Sequence, residues 1–325
     1  MTKLLITGAT GFVGRKLCQT LAQRGIDYAA VVRPGQEMDH AQIIAGISSS
    51  TDWQAALDGV DVIVHLAARV HVMNDSEADP LAAFRAINVD ATLNLARQAA
   101  AAGVKRLVFV SSIKVNGEET HGIPYTAQDI PAPQDAYGVS KHEAEQGLHA
   151  IAAQTGLEVV IVRPPLVYGP GVRANFLRLM QVTRLGIPLP FGAVHNARSM
   201  VALDNLVDLL ICCSSHPAAA GQTFLVSDGD DVSLTRLLRL MAAAMHKRIW
   251  LLPIHARWMQ NAAALLGKSA FANRLLGSLQ VDIQHTRDTL NWQPVCSVEH
   301  AIAQTVAALA IPPQHAPNPH PNEQA

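Results

Sequence analysis

The sequence predicts an α/β fold, a doubly wound parallel sheet with a smaller C-terminal lobe, and three observations carry that prediction. Short apolar runs alternate with helical patterns through the first half of the chain. The first run feeds straight into a glycine-rich turn, Thr7-Gly-Ala-Thr-Gly-Phe-Val-Gly14, that opens a helix. Past residue 165 the alternation fades into loops and isolated helices.

The runs that read as buried strands are Leu4–Ile6, Tyr28–Val32, Val60–Leu66, Leu107–Ser111 and Glu158–Val162. They are apolar at nearly every position, as strands covered on both faces must be. Helical patterns lie between them at Phe12–Arg24, Trp53–Leu57, Asn88–Ala102 and Tyr137–Gln154. Strand–helix–strand units of this kind give right-handed crossovers with helices on both faces, and ligands bind beyond the carboxyl ends of the strands. Residues 1–165 are therefore expected to form the sheet domain, with later segments returning to it. Gly169-Pro-Gly171, a loop over Gly186–Ser199 and helices at Asp204–Ser214 and Ser233–His246 place a substrate-binding lobe in 166–311. The stretch 312–325 is rich in Pro, His, Asn and Gln and is expected to be a disordered tail.

A hydrophobic content of 49% over 325 residues suits a large buried core. The net charge of −1 gives no reason to expect a nucleic-acid groove or an anionic membrane surface as partner. Apolar runs such as Leu107–Val110 and Leu209–Cys213 are far too short to span a bilayer, so no membrane insertion is expected. No basic-then-apolar leader precedes Lys3, which points to the cytoplasm. Cys18, Cys212, Cys213 and Cys296 show neither disulfide nor zinc spacing, and no metal site is expected.

The glycine turn has the context of a phosphate cradle. Gly8 permits the tight turn, Gly11 lets backbone approach a pyrophosphate, and Gly14 lets the helix pack on the strand. The helix N-terminus offers free N–H groups and a favourable dipole to the phosphates. At the end of the second strand stands Arg33 rather than a carboxylate. An arginine there can pair with a ribose 2′-phosphate, so NADP(H) is favoured, with NAD(H) possible.

Over a hundred positions later, Tyr137-Gly-Val-Ser-Lys141 puts a phenol and an ammonium on one helix face. Tyrosine, with a reference pKa of about 10, is a poor base at neutral pH. A neighbouring cation favours phenolate, so the phenol can shuttle a proton while hydride moves to or from a nicotinamide. Ser111 and Ser112 close the preceding strand where a hydroxyl should hold the reacting oxygen.

With these motifs the chain resembles extended short-chain dehydrogenase/reductases, the NAD-dependent epimerase/dehydratase family. His65-Leu-Ala-Ala68, Asn88, Val110-Ser-Ser112, Arg163-Pro-Pro-Leu-Val-Tyr-Gly-Pro-Gly171 and Arg198-Ser-Met-Val-Ala-Leu-Asp-Asn-Leu206 match in order. The resemblance implies a Rossmann fold, a nucleotide-sugar substrate such as a UDP-sugar, and a homodimer built from the helix after His65 and the one at Tyr137. It selects Ser112 as the hydroxyl, giving a catalytic set of Ser112, Tyr137 and Lys141. It places Gly8, Thr10, Gly11, Phe12, Val13, Gly14, Arg33, Leu66, Ala67, Ala68, Asn88, Tyr137, Lys141 and Pro164 on the cofactor, and Lys114, Asn175 and Arg198 on the substrate. Two departures stand out: Ala45-Gly46-Ile47 lacks the acid that holds adenine in the family, and the second pyrophosphate arginine is missing, with Arg274 as substitute.

Sugar dehydratases of the family carry Asp-Glu after the catalytic hydroxyl. Here Ile113 and Lys114 stand there, and neither supplies that acid–base pair. Two reactions remain. Arg33 fits a dissociable NADPH, and the segment Ala67–Val72 with Ser111–Glu118 resembles bacterial surface-polysaccharide reductases, which implies a C4 ketoreductase acting on a UDP-4-keto-6-deoxy-N-acetylhexosamine in surface-polysaccharide precursor synthesis. The alternative is a UDP-glucose or UDP-N-acetylglucosamine 4-epimerase with tightly held NAD. A non-catalytic NADP-binding sensor is the minor reading, disfavoured by the complete Ser–Tyr–Lys set.

Overall fold

Seven parallel strands form the central sheet of the computed structural model, which describes residues 2–70, 79–265, 267 and 269–309. In chain order the strands are β1 (Leu4–Thr7), β2 (Tyr28–Val32), β3 (Ala41–Ile43), β4 (Val62–His65), β5 (Arg106–Val110) and β6 (Glu158–Arg163). Two short strands, β7 (Leu166–Tyr168) and β8 (Met200–Ala202), pair with each other, and β9 (Thr223–Leu225) returns to the sheet beside β6. The order across the sheet is β3-β2-β1-β4-β5-β6-β9. The predicted doubly wound fold is present.

Because side chains alternate along a strand, the continuous apolar runs feed two cores. Ile6, Val64, Val108 and Val162 point to one face, where α1 (Phe12–Gln23) packs Leu17 and Leu21 against them. Leu5, Ile63, Leu107, Phe109 and Ile161 point to the other face. There Leu95 and Leu148 come from α4 (Thr92–Ala101) and α5 (Ala136–Thr155). Each such aliphatic side chain contributes about 1.5–3 kcal/mol on burial.

Chain direction reverses around β1. From β1 the chain winds outward to β2 and β3, then returns to β4 on the other side. Thr7 pairs with His65 at the shared carboxyl end of β1 and β4, so the loops leaving those strands diverge and open a crevice. Short helices α2 (Gln54–Leu57) and α3 (Pro80–Arg85) fill the crossovers. A π-helical segment, Ala86–Ala91, joins α3 to α4. The remaining helices, α6 (Ala174–Leu185), α7 (Leu203–Ser215), α8 (Leu234–Ala244), α9 (Ala256–Leu265), α10 (Ser269–Leu276), α11 (Gln284–Leu290) and α12 (Val298–Leu309), follow β6. Of these, α7 packs on the main sheet, whereas α6, α8 and α12 share a separate core around Phe176, Met241 and Ile302. The expected tail, and the end of the Ala67–Val72 segment, lie outside the described residues.

Candidate active site

The glycine turn is shaped by close backbone approach. Gly8 has φ +68°, and a Cβ on it would meet Ala67 N at 2.8 Å and the Leu66 carbonyl carbon at 2.9 Å. A Cβ on Gly14 would lie 2.2 Å from Gly8 O and 2.7 Å from Ala9 Cα. Gly11 N donates to Gly8 O at 2.9 Å and closes the turn. No side chain caps the first turn of α1, which leaves its N–H groups free for an anion. Leu66, Ala67 and Ala68 lie across the crevice, with the Leu66 and Ala67 N–H groups directed at Thr7 Oγ1 at 3.2 and 3.3 Å. A cradle that a single methyl group would fill is the fit expected for a dinucleotide pyrophosphate.

Asn88, buried in the π-helical segment, ties this side to α5, the helix that carries Tyr137 and Lys141. Its Oδ1 accepts from Arg69 N at 2.8 Å, and its Nδ2 donates to Arg69 O and to Ser140 Oγ, both at 3.0 Å. Asn88 sits in a π-helical turn, and such bulges recur at functional positions.

The start of α5 is fixed before Tyr137 is placed. Asp135 caps it, its Oδ1 accepting from Gly138 N at 2.7 Å, and its other oxygen holds Lys114 Nζ. A Cβ on Gly138 would lie 2.8 Å from Lys114 O, so the glycine after Tyr137 lets the helix meet the loop. Tyr137 sits edge-on to Phe84, with ring centroids 6.0 Å apart. Burial pushes its phenol up to about 12, the Asp135 carboxylate adds to the rise, and a hydrogen bond with Ser112 works against it.

Lys141 is fully buried. Its Nζ donates to Val110 O at 2.8 Å and stands 4.4 Å from the centroid of the Phe109 ring. Burial lowers its ammonium to about 7, with Glu145 opposing. His65 lies nearby, held between Thr7 Oγ1 at 2.7 Å and Thr92 Oγ1 at 3.0 Å, and stacks on Phe109. Desolvation, helped by Lys141, lowers its imidazole to about 3, so it is neutral.

The two serines separate. Ser111 Oγ donates to Glu145 Oε1 at 2.5 Å, while Ser112 Oγ accepts from Lys114 N at 3.2 Å and faces Tyr137. Pro164 O receives Ile113 N at 3.0 Å and pins the loop between them to the end of β6. Gly8 to Gly14, Leu66 to Ala68, Asn88, Ser112, Tyr137, Lys141 and Pro164 thus gather at the carboxyl edge of the sheet.

The other expected contacts stand further out. Arg33 is exposed just past the end of β2. Lys114 is engaged by Glu118 as well as Asp135. Glu118 also meets Arg274 Nε at 3.6 Å, and the Arg274 carbonyl receives Arg198 Nη1 at 2.9 Å. Lys114, Arg274 and Arg198 therefore form one linked rim. Asn175 is exposed in the first turn of α6, outside that network.

Sequence reasoning gave no site role to Glu145, Arg163 or Asn116, which lie directly behind the loop that carries Ser112. Glu145 repeats the i, i+4 step from Tyr137 to Lys141, and that spacing was the available signal.

Known proteins resemble this chain over nearly its whole length. The description "NAD dependent epimerase/dehydratase family" matches residues 4–227. A Vibrio cholerae protein named UDP-glucose 4-epimerase is 48% identical over 312 residues, spanning 94% of this chain and 95% of its own. The solved UDP-N-acetylglucosamine 4-epimerase from Bacillus cereus superposes with a TM-score of 0.77 at 19% identity, covering 94% and 99% of the two chains. The UDP-glucuronic acid 4-epimerase from Bacillus cereus, solved in complex with NAD, gives 0.75 at 20% identity, covering 95% and 98%. The chain belongs to the NAD dependent epimerase/dehydratase family.

Proposed function

We propose that the protein is a nucleotide-sugar 4-epimerase that inverts C4 of a UDP-hexose. The observation that carries this reading is near-full-length identity of 48% to a protein named UDP-glucose 4-epimerase. That similarity reverses the order of the two reactions expected from sequence, placing the epimerase ahead of the ketoreductase. When bound along the glycine turn, a nicotinamide dinucleotide supplies hydride acceptance and return.

The chain's own residues supply the rest. Ser112 is placed to hydrogen-bond the C4 oxygen, and Tyr137 to take the proton of the C4 hydroxyl and give it back on the other face. Phe84 and the α5 start shield the phenol from water, and the Lys141 cation stabilises it when it carries charge. Lys114, Arg198 and Arg274 offer cations at the rim to a substrate diphosphate. The homodimer expected of the family, through α4 and α5, belongs to the same proposal.

Arg33, exposed beyond β2, supports the second reading, a ketoreductase using NADPH. One experiment separates the two. The purified protein is given UDP-glucose or UDP-N-acetylglucosamine without added cofactor, and the sugar products are resolved by NMR. The epimerase reading expects galacto-configured product, and Tyr137→Phe is expected to lose about 10²- to 10⁴-fold of the rate. No conversion, with oxidation of NADPH by UDP-4-keto-6-deoxy-N-acetylglucosamine instead, would overturn it.

A further inference from the structure

The C-terminal lobe carries an apolar face that no other described part of the fold covers. The segment after α6 pairs with the segment before α9: Leu189 N donates to Trp250 O, and Leu252 N to Leu189 O, both at 2.8 Å. Alternation then sorts the side chains. Leu189, Ile249 and Leu251 pack inward around Leu234 and Leu238. Trp250, Leu252 and Ile254 are left exposed, where a surface ribbon ordinarily carries polar groups. In α9 the same thing happens at helical spacing. Met259 packs inward, while Trp258 and Leu265, two turns apart on one stripe, are 76% and 89% exposed. Leu185 and Ile187 add to the face from the paired segment. Large apolar side chains exposed together on elements that share one core mark an interaction surface.

Its charge says what it meets. Lys247, Arg248 and Arg257 are exposed among these residues. Lys247 Nζ reaches across the pairing to Arg184 O at 2.7 Å. The sequence has no Asp or Glu from Val159 to Leu203, nor from Val232 to Val281. Those two stretches supply α6, α8, α9, α10 and the paired segments, which are all the elements packed around this core. The elements that carry the face thus bring cations and no acid of their own, although the whole chain has a net charge of −1; the acids paired with them, Glu118 at Arg274 and Asp230 and Glu299 at Arg236, come from other segments.

We propose that this face docks the protein peripherally on a bilayer surface rich in anionic phospholipid. Indole rings settle at the head-group level, aliphatic side chains reach the acyl boundary, and Lys and Arg meet the phosphates. A protein partner is normally matched by charges of both signs, and the elements that carry this face bring only one. No helix among the described residues is long and apolar enough to cross a membrane, so the contact is superficial.

The tryptophans provide the test. Trp53 and Trp292 are buried, whereas Trp250 and Trp258 are 66% and 76% exposed, so a change in emission on binding reports this face. The full chain is titrated with phosphatidylglycerol-containing vesicles and with pure phosphatidylcholine vesicles, and binding is also followed by co-sedimentation. Expected are a blue shift and co-sedimentation with the anionic vesicles, weakened by salt and largely absent with phosphatidylcholine. Trp250→Ser/Trp258→Ser and Lys247→Glu/Arg248→Glu should each bind at least about tenfold more weakly, with unchanged circular dichroism and melting. Failure to bind either vesicle overturns the proposal, as does equal binding to both. It is also overturned by a dimer that Trp250→Ser/Trp258→Ser dissociates without any vesicle binding, since a second copy then covers the face.

Discussion

Arg163 grips Glu145 through two hydrogen bonds, Nε to Oε1 at 2.9 Å and Nη2 to Oε2 at 2.5 Å, with both side chains buried. Arg163 Nη1 also donates to Asn116 Oδ1 at 3.0 Å, and Ser111 Oγ to Glu145. One ion pair thus joins the end of β6, the middle of α5 and both sides of the loop that carries Ser112. Removing only the acid leaves a buried guanidinium without its anion. Glu145→Ala is therefore expected to cost about 3–5 kcal/mol in urea unfolding. The double variant Glu145→Leu/Arg163→Met, which removes both charges, should recover much of that loss. Equal losses in the two variants would show that packing, not charge, matters there.

Lys141 sets a pH signature. Its folded-state pKa, lowered to about 7 chiefly by burial, lies below the 10.5 of an ordinary lysine. Between those values the unfolded chain binds a proton that the native protein does not, so this residue adds stability as pH rises through the window and loses it as pH falls toward 7. Lys141→Met does not titrate. Relative to the variant, wild type should gain up to about 4 kcal/mol from pH 7 to pH 10.5, an upper bound from the shift. Denaturant midpoints of both proteins measured across that range check the sign, and a constant difference would refute it.

Much of this was legible in the residues, and the exceptions have physical causes. The sheet was readable because strands covered on both faces are apolar throughout. The edge strand β3 was not, because two of its three residues are exposed and its run carries no pattern. The stretch from Asn88 onward reads as ordinary helix, yet Ala86–Ala91 is π-helical, and one added residue per turn leaves no mark on short periodicity. The sharing of the Lys114 ammonium by Asp135 and Glu118 was not legible either. Partners from distant segments are invisible to spacing. The net charge of −1 is an average over the chain and does not reveal the two acid-free stretches that supply one core.

Gly14 tests the cradle. The groups a Cβ would strike, Gly8 O and Ala9 Cα, are backbone and cannot swing aside. Gly14→Ala should abolish NAD binding in calorimetry and lower the melting temperature. Gly25→Ala is the control: φ is +64° there, but nothing lies within 4 Å of the new methyl. It should cost only about 1 kcal/mol of backbone strain and leave binding intact. Comparable binding losses in both would mean that the close approach is unimportant.

Asp135 offers a way to move the phenol without touching it. Burial is the larger cause of the raised Tyr137 pKa, and the Asp135 carboxylate is the next. Asp135→Asn keeps an oxygen to accept from Gly138 N, so the cap on α5 survives, while the negative charge near the phenol disappears. Phenolate should then form at lower pH than in wild type, because only the burial contribution remains to oppose it. Subtracting the phenolate absorbance titration of Tyr137→Phe from each protein isolates this one tyrosine among Tyr28, Tyr125 and Tyr168. The rising limb of the pH–rate profile, where the phenolate forms, should shift down in the same direction. A titration unmoved by Asp135→Asn would show that the carboxylate is too well screened by Lys114 to act on the phenol.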